Sequence, residues 1–596
     1  MTVREYSVPV LVDVPLSANC TDVVFQRAAD APSTVVIRRK EGEAPGAPWN
    51  PVTAAEFRND VAGVAKGLIA AGVEPGDRVA IMSRTRYEWT VVDYAIWAAG
   101  AVGVPVYETS SVDQVKWILT DSGAKAAVVE SESHEEAVRE AVPALSLIWR
   151  IDGGGLAALT SLGSEVSDDV LAERRSIRGG HDLATIIYTS GTTGMPKGCR
   201  LTHDNLVFTA RNIYLGPLER LFDVDDRAAL LFLPLAHSLA RIIEVVLIET
   251  GTVLAHTPNM KNVAPDLQAF KPTFLLGVPR VFEKVYNGAE QKAVSEGKGK
   301  IFHAAVNTAI AWSRAESSGG AGLGVRLKHA VFDKLVYSKL RAATGGNLRT
   351  SVSGGSALGE RLGHFFRGVG IEVLEGWGLT ETSAPSTVNM PGANKIGTVG
   401  KPFPGVSIRI AEDGEILVKG RHVFDGYWNN ERATKEAVDP DGWFHTGDVG
   451  ELDADGYLSI TGRKKEIIVT AGGKNVAPAP LEDAIRAHRL ISQVMVVGDD
   501  KPFIGALITL DPEAVEQWRQ SNGKAEVSHT DPALLAEVQS AVDVANRMVS
   551  HAEQIKKFVI LDTDLTEESG HLTPSLKVKR ALVMRDFAKQ LDELYG

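Results

Sequence analysis

Tyr188-Thr189-Ser190-Gly191-Thr192-Thr193-Gly194-Met195-Pro196-Lys197-Gly198 follows directly on an apolar run, Leu183 to Tyr188. A short apolar run bounded by turn residues reads as a buried strand. The loop after it holds three glycines, which let backbone N–H groups approach an anion closely. Four hydroxyls and one ammonium add further donors. That mixture suits a polyphosphate. It is not a Walker loop: Lys197 follows Pro196, and the Gly-Lys-Ser/Thr ending is missing. A P-loop kinase or ATPase therefore loses support. A Gly/Thr-rich turn alone is often only a turn, but a string this long after a buried strand is far more specific.

Outward from the loop, strands alternate with helices. Toward the N-terminus, 54–71 reads as an amphipathic helix, 78–82 as a strand, 89–99 as a helix, and 102–106 and 126–130 as strands. Toward the C-terminus, 228–233, 273–277, 349–353 and 371–375 read as strands, with a helix over 239–248. This rhythm predicts parallel sheets covered on both faces. After about Gly397 the texture changes. Short strands at 406–410, 415–418 and 457–461 are separated by Asp413-Gly414, Asp441-Gly442 and Asp455-Gly456, which are hairpin-type pairs. From about Lys464 a compact α/β piece follows, with helices near 480–488 and 532–548.

Residues 295–345 interrupt the pattern. Val325 to Arg341 carries five Lys/Arg against one Asp, with apolar residues at helical spacing. It reads first as the solvated face of a packed helix. Contact with a membrane surface is the alternative.

Further motifs lie downstream in order: Leu233-Pro234-Leu235-Ala236-His237-Ser238, Ser353-Gly354-Gly355-Ser356-Ala357-Leu358, and Glu375-Gly376-Trp377-Gly378-Leu379-Thr380-Glu381-Thr382. Then come Thr446-Gly447-Asp448, Gly462-Arg463-Lys464-Lys465-Glu466, and Thr573-Pro574-Ser575-Leu576-Lys577-Val578-Lys579-Arg580. Together with the first loop they resemble the adenylate-forming (AMP-binding) superfamily, from about residue 20 to the C-terminus. The 295–345 insertion and the Leu-Lys-Val-Lys-Arg ending resemble its long-chain fatty acid–CoA ligase group.

The resemblance implies an α/β fold. A large N-terminal domain, 1–462, would hold two α/β/α layered subdomains and a small β-barrel-like unit. A small, mobile α+β C-terminal domain, 463–596, would complete it. It implies ATP, Mg²⁺ and coenzyme A as cofactor and co-substrates, and a fatty acid as the acyl substrate. An enzyme that loads an acyl group onto a carrier protein is the alternative, and a silent nucleotide- or lipid-binding protein is a third reading.

It also implies roles for residues. Thr189, Ser190, Gly191, Thr192, Thr193, Gly194 and Lys197 would hold phosphate. Gly354, Gly355 and Ser356 would lie along the adenine, and Trp377, between Glu375-Gly376 and Gly378, would stack on it where most relatives have Tyr. Thr380 would contact the α-phosphate, and Glu381 would be the metal ligand. Asp448 would anchor the ribose, Arg463 would sit near ribose and phosphate, and Lys465 would mark the hinge. Gly472 and Gly473 would let a pantetheine arm pass, and His237 would neighbour the thiol. Lys577 would be the catalytic lysine of adenylate formation, with Lys579 as the competing register, and a candidate substrate for a lysine acetyltransferase. Most relatives have Gly where this chain has Leu576.

Composition bounds the rest. At roughly 100–200 residues per domain, 596 residues make several structural units. Hydrophobic residues at 44% and charged residues at 23% fit a globular chain rather than a disordered or fibrous one. With 63 Lys and Arg against 75 Asp and Glu, the net charge of −12 gives no general attraction to nucleic acid. Cys20 and Cys199 are too few for a disulfide framework, and no Cys/His cluster has zinc spacing. The start lacks an apolar signal core. The most apolar stretch, 91–107, carries Asp93 and two glycines and falls short of a membrane span. A cytoplasmic protein is expected. His203 and His364 read as helix or surface residues rather than ligands. Cys199 reads as packing, with its place beside Lys197 implying sensitivity to alkylation.

Overall fold

Arg78–Met82, Val102–Val106 and Ala126–Val129 are continuous apolar runs, the signature of strands covered on both faces. In the computed structural model, which describes residues 2–45, 47–189, 195–573 and 576–596, they form the middle of a six-stranded sheet. Its neighbours pair in parallel out to Leu147–Arg150 on one side and Leu183–Thr189 on the other. Lys197–Thr202 then pairs antiparallel with Leu183–Thr189 and forms the sheet's edge. A second sheet of nine strands has a parallel centre that includes Ala228–Leu231, Phe274–Gly277, Thr350–Ser353 and Glu372–Leu379.

The helix Tyr87–Ala98 is buried along its whole length. A helix apolar all round belongs in a core, so the most hydrophobic stretch of the chain packs inside. It carries two acids: Glu88 in its first turn, and Asp93, which is fully buried and pairs with Arg241, whose Nε donates to Oδ2 at 2.8 Å. Burial pushes the Asp93 carboxyl up to about 6 against the pull of Arg241. The Arg241 guanidinium also lies over the rings of Trp89 and Trp97. This pins the helix Ser238–Thr250, which carries Arg241, to the interior.

The strand expected at 371–375 runs on to Leu379. It continues because Ala384–Val388 folds back against it antiparallel. Gly378 permits the return: a Cβ there would lie 1.5 Å from the Ala384 carbonyl oxygen. The β-rich unit after 397 is a six-stranded sheet that recruits two strands from the other end of the chain. Thr2–Val3 pairs with Phe444–Asp453, and Glu5–Ser7 with Ser407–Ile410.

Residues 295–345 hold the helices Gly299–Glu316 and Leu323–Phe332, a π turn over Asp333–Tyr337, and the helix Ser338–Ala343. Tyr337 and Leu340 pack inward. Leu323, Leu327, Val331 and Leu335 face solvent. The exposed side of this packed helix is therefore apolar as well as charged, which the reading as a solvated polar face did not anticipate. In the C-terminal part, Ile491–Val497 and Ile504–Leu510 pair antiparallel and Ile555–Ile560 adds in parallel, with Pro478–Arg486 and Pro532–Asn546 packed against them. Among the described residues no helix is long and apolar enough to cross a membrane.

Candidate active site

The cleft forms where the C-terminal ends of the second sheet's strands meet the β-rich unit and the C-terminal part. Its volume is about 1160 Å³. Gly354 and Gly355 follow the strand Thr350–Ser353 into it. Gly376, Trp377 and Gly378 arrive on Glu372–Leu379, and Thr380 and Glu381 on the 3-10 turn Thr380–Thr382. Thr189 reaches it from the first sheet.

Trp377 and Asp448 form one unit. The indole Nε1–H donates to Asp448 Oδ2 at 2.8 Å, and Arg463 Nε donates to Oδ1 at 2.8 Å. Asp448 and Arg463 are direct cross-strand partners, so the sheet register sets the ion pair. An ionised carboxylate has about four lone-pair sites. Two are taken by these donors, and two remain to accept from a pair of vicinal hydroxyls. Trp377→Phe keeps a stacking ring and removes the donor. A hydrogen bond to a charged group is worth about 1.5–3 kcal/mol, so kcat/KM for ATP is expected to fall by roughly tenfold or more. Comparing ATP with 2′-deoxy-ATP checks the cause. A variant that keeps the wild-type preference for the 2′-hydroxyl would show that the indole does not orient Asp448.

Glu381 is held by a residue that the sequence reading missed. The Tyr427 hydroxyl donates to Glu381 Oε1 at 2.8 Å. Burial and the Glu381 charge push the Tyr427 phenol up, so it stays a donor. Lys197 places its ammonium 4.8 Å from the centre of the same ring. Ser238 and Thr380 share a hydrogen bond of 3.1 Å between their hydroxyls. Among the described residues no three His, Cys, Asp or Glu cluster as a ready-made metal site. A single carboxylate fits Mg²⁺ arriving with a nucleotide, since that ion takes one or two carboxylates and fills its shell with phosphate oxygens and water.

His237 caps the helix Ser238–Thr250. Its Nδ1 accepts from the Leu239 N–H at 3.1 Å, which leaves the ring proton on Nε2. Burial, then the Lys577 ammonium, lower its pKa to about 4. At neutral pH the ring is therefore an uncharged N–H donor facing the cleft. Behind it Leu239, Ile242, Ile243 and Val246 line an apolar extension of the same cavity, together with Ile213 and Leu218.

Lys577 enters from the C-terminal part. Burial among the cleft walls and the Arg463 guanidinium lower its pKa below the ordinary lysine range, against Asp448 and Glu466. Thr573 and Lys577 are tied to each other: Thr573 N–H donates to Lys577 O at 2.8 Å, and Lys577 N–H donates to Thr573 Oγ1 at 3.0 Å. Leu576 has φ +61°, the left-handed region that favours glycine. This fits the glycine that the resemblance implies at this position: Leu576 adopts the glycine conformation at a cost of roughly 1–2 kcal/mol. The C-terminal part is seated by Arg280 on Asp511 at 3.3 Å, Arg361 on the Ala487 carbonyl at 3.3 Å, and Thr109 on Glu567.

Not every expected residue converges. Ser190, Gly191, Thr192, Thr193 and Gly194 lie outside the described residues, as do Pro574 and Ser575. Ser356 is exposed and does not line the cleft. Glu375 turns away and fastens the glycine turn, accepting from the Leu358 N–H at 2.8 Å, and burial pushes its carboxyl up to about 7. Gly472 and Gly473 sit on the exposed turn between Ile468–Val469 and Asn475–Val476, outside the cleft. Lys465 lines the rim, and Lys579 accompanies Lys577. The alkylation-sensitive reading of Cys199 is corrected. Its side chain is fully buried, and burial and Glu381 push the thiol well above its ordinary pKa. Both cysteines are free. His203 and His364 are helix residues as expected, but buried: His203 Nδ1 accepts from the Cys20 N–H, and His364 bonds Ser313.

Two family models match the chain: AMP-binding enzyme over residues 24–428, and AMP-binding enzyme C-terminal domain over 465–596. The long-chain-fatty-acid–CoA ligase FadD15 of Mycobacterium tuberculosis is 53% identical, with all of both chains covered. The long-chain-fatty-acid–CoA ligase ACSBG2 of Xenopus laevis is 32% identical, over 94% of this chain and 81% of its own. Among solved structures, the adenylation domain of a Mycobacterium chelonae carboxylate reductase superposes with a TM-score of 0.75 at 20% identity, covering 97% of this chain and 91% of its own. The o-succinylbenzoate coenzyme A synthetase of Bacillus subtilis, in complex with ATP and magnesium ion, gives 0.67 at 22% identity, covering 94% and 98%. The model matches, the full-length relatives and the order of residues around the cleft agree: the chain belongs to the AMP-binding enzyme family.

Proposed function

We propose that the protein is a long-chain fatty acid–CoA ligase. The fatty acid carboxylate attacks the α-phosphorus of ATP and expels pyrophosphate, and the CoA thiol then displaces AMP from the acyl-adenylate. One observation carries the chemistry: Lys577 from the C-terminal part and Thr380 and Glu381 from the N-terminal part line one cleft, and that cleft runs on into an apolar pocket. Bringing a carboxylate to a polyphosphate needs positive charge fixed in place beforehand. Lys577 and Arg463 supply it, and the Thr380 hydroxyl offers a donor. Mg²⁺, when bound, would neutralise phosphate charge, and Glu381 would hold it. Asp448 grips the ribose, Trp377 offers its face to the adenine, and Gly354 and Gly355 let it approach. His237 donates Nε2–H toward the acyl carbonyl.

For the second step we place the domain boundary at 462/463 and the hinge at Lys465. The tight turn after Arg463, with Glu466 and Ile467 N–H both bonded to the Arg463 carbonyl, supports this placement. Rotation there would withdraw Lys577 and bring the Gly472-Gly473 turn to the cleft for the pantetheine arm. Acetylation of Lys577 by a lysine acetyltransferase would remove its charge and stop the first step. The reaction belongs in the cytoplasm, with fatty acid drawn from a membrane surface.

The test is a panel of carboxylic acids of rising length, scored for pyrophosphate release and CoA thioester. Long acids should lead in both readouts. A protein that releases pyrophosphate but acylates only a supplied carrier protein would favour the carrier-loading alternative. The pocket gives a sharper check. Val246 lies eight residues beyond Ser238, roughly 12 Å along the helix at 1.5 Å per residue. Val246→Phe should lower kcat/KM for long acids by about tenfold or more, on the scale of 1–3 kcal/mol per displaced methylene, while short acids keep their rate. Equal loss at all lengths would mean that the acyl chain does not run along this helix.

A further inference from the structure

The outer stretch of the 295–345 insertion, the helix Leu323–Phe332 with the π turn and helix that continue it to Ala343, has two apolar sides. Tyr337 and Leu340 face the core. Leu323, Leu327, Val331 and Leu335 recur every four residues and are 75%, 62%, 55% and 53% exposed. A line of large aliphatic side chains turned to water on one helix marks an interaction surface. The charges around it are basic. Arg326, Lys328, Lys334 and Lys339 are all exposed. The only acid between 323 and 343, Asp333, is paired with Arg341 at 2.8 Å. Glu296, an acid that feels the Lys339 charge, is itself paired with Lys298 at 2.7 Å. In a chain of net charge −12 this is a local reversal of sign.

We propose that this face docks the protein on an anionic lipid surface, with Leu323, Leu327, Val331 and Leu335 entering the headgroup boundary and the four basic residues meeting lipid phosphates. Charge complementarity selects this occupant. A second copy related by a two-fold axis would set one basic helix against another. An amphipathic helix lying in the interface needs an apolar line flanked by Lys and Arg, and that is the arrangement here. The inference rests on the ligase reading for its purpose, since a long-chain fatty acid partitions into the same bilayer.

The experiment is co-sedimentation of the full chain with phosphatidylcholine vesicles and with mixed phosphatidylcholine–phosphatidylglycerol vesicles, at low and high salt. Activity on detergent-dispersed fatty acid is measured in parallel. Wild type should bind the anionic vesicles and release at high salt, and should bind the neutral ones poorly. Leu327→Glu/Val331→Glu should lower partitioning by at least about tenfold. Lys328→Glu, which reverses one charge, should lower it by at least about fivefold, the scale of one basic residue at an anionic surface. Both variants alter exposed positions and should keep wild-type activity on dispersed substrate. Wild type that fails to bind anionic vesicles, or a double variant that binds as well as wild type, overturns the proposal. So does a wild-type dimer, seen by sedimentation velocity, that the double variant converts to monomer. Loss of wild-type activity on dispersed substrate would instead count against the ligase reading and leaves the binding result to be judged by itself.

Discussion

Lys577→Ala is expected to cut pyrophosphate release from ATP and fatty acid by about 10²–10³-fold, the usual cost of removing one preorganised charge-stabilising group. Its ammonium lies in the cleft within reach of the Arg463 charge. With preformed acyl-adenylate and CoA, the same variant should make thioester at close to the wild-type rate, because the lysine serves only the step that joins carboxylate to phosphorus. The depressed pKa adds a second readout. The charged form is the active one, so wild-type adenylation should fall as pH rises through a value below the ordinary lysine range. Lys579→Ala is the control for register. Should that variant lose adenylation while Lys577→Ala keeps it, the assignment is two residues off.

Glu381→Gln is expected to cost adenylation at least about 10²-fold at limiting Mg²⁺, with partial recovery as Mg²⁺ is raised. The amide keeps the shape and removes the only carboxylate that this reading gives the metal. Tyr427→Phe should act in the same direction and less strongly, about 10–100-fold, the range for groups that orient a metal ligand. Its effect should appear in the Mg²⁺ dependence rather than in the KM for fatty acid. Near-normal adenylation by Glu381→Gln at limiting Mg²⁺ would remove Glu381 from the metal site.

The parallel strands were legible because burial on both faces leaves an unbroken apolar run, as in Arg78–Met82 and Val102–Val106, where the expected and observed bounds coincide. The cleft residues were legible because their motifs are local, and the fold brings Trp377, Thr380, Glu381, Arg463 and Lys577 to one cavity, with Asp448 bonded at its wall. What escaped is what depends on distant partners. Tyr427 is unremarkable until the fold sets its hydroxyl against a carboxylate 46 residues earlier. The left-handed backbone of Leu576 has no side-chain signature. Helical spacing around 323–340 shows that apolar residues recur, but with Leu327 and Leu340 on opposite sides the period alone does not say which faces the core. Two- and three-residue strands such as Thr2–Val3 and Glu5–Ser7 are too short to show an alternation.

Those two strands place a clock on biosynthesis. Thr2 pairs with Asp453, on the same strand that carries Asp448. At about 5–20 residues per second, the gap of 453 − 2 = 451 residues takes roughly 20–90 s to synthesise. For that interval the partner of the strand that carries Asp448 waits with its backbone groups unmatched. The sheet that borders the cleft is therefore completed at this edge only after most of the polypeptide has emerged.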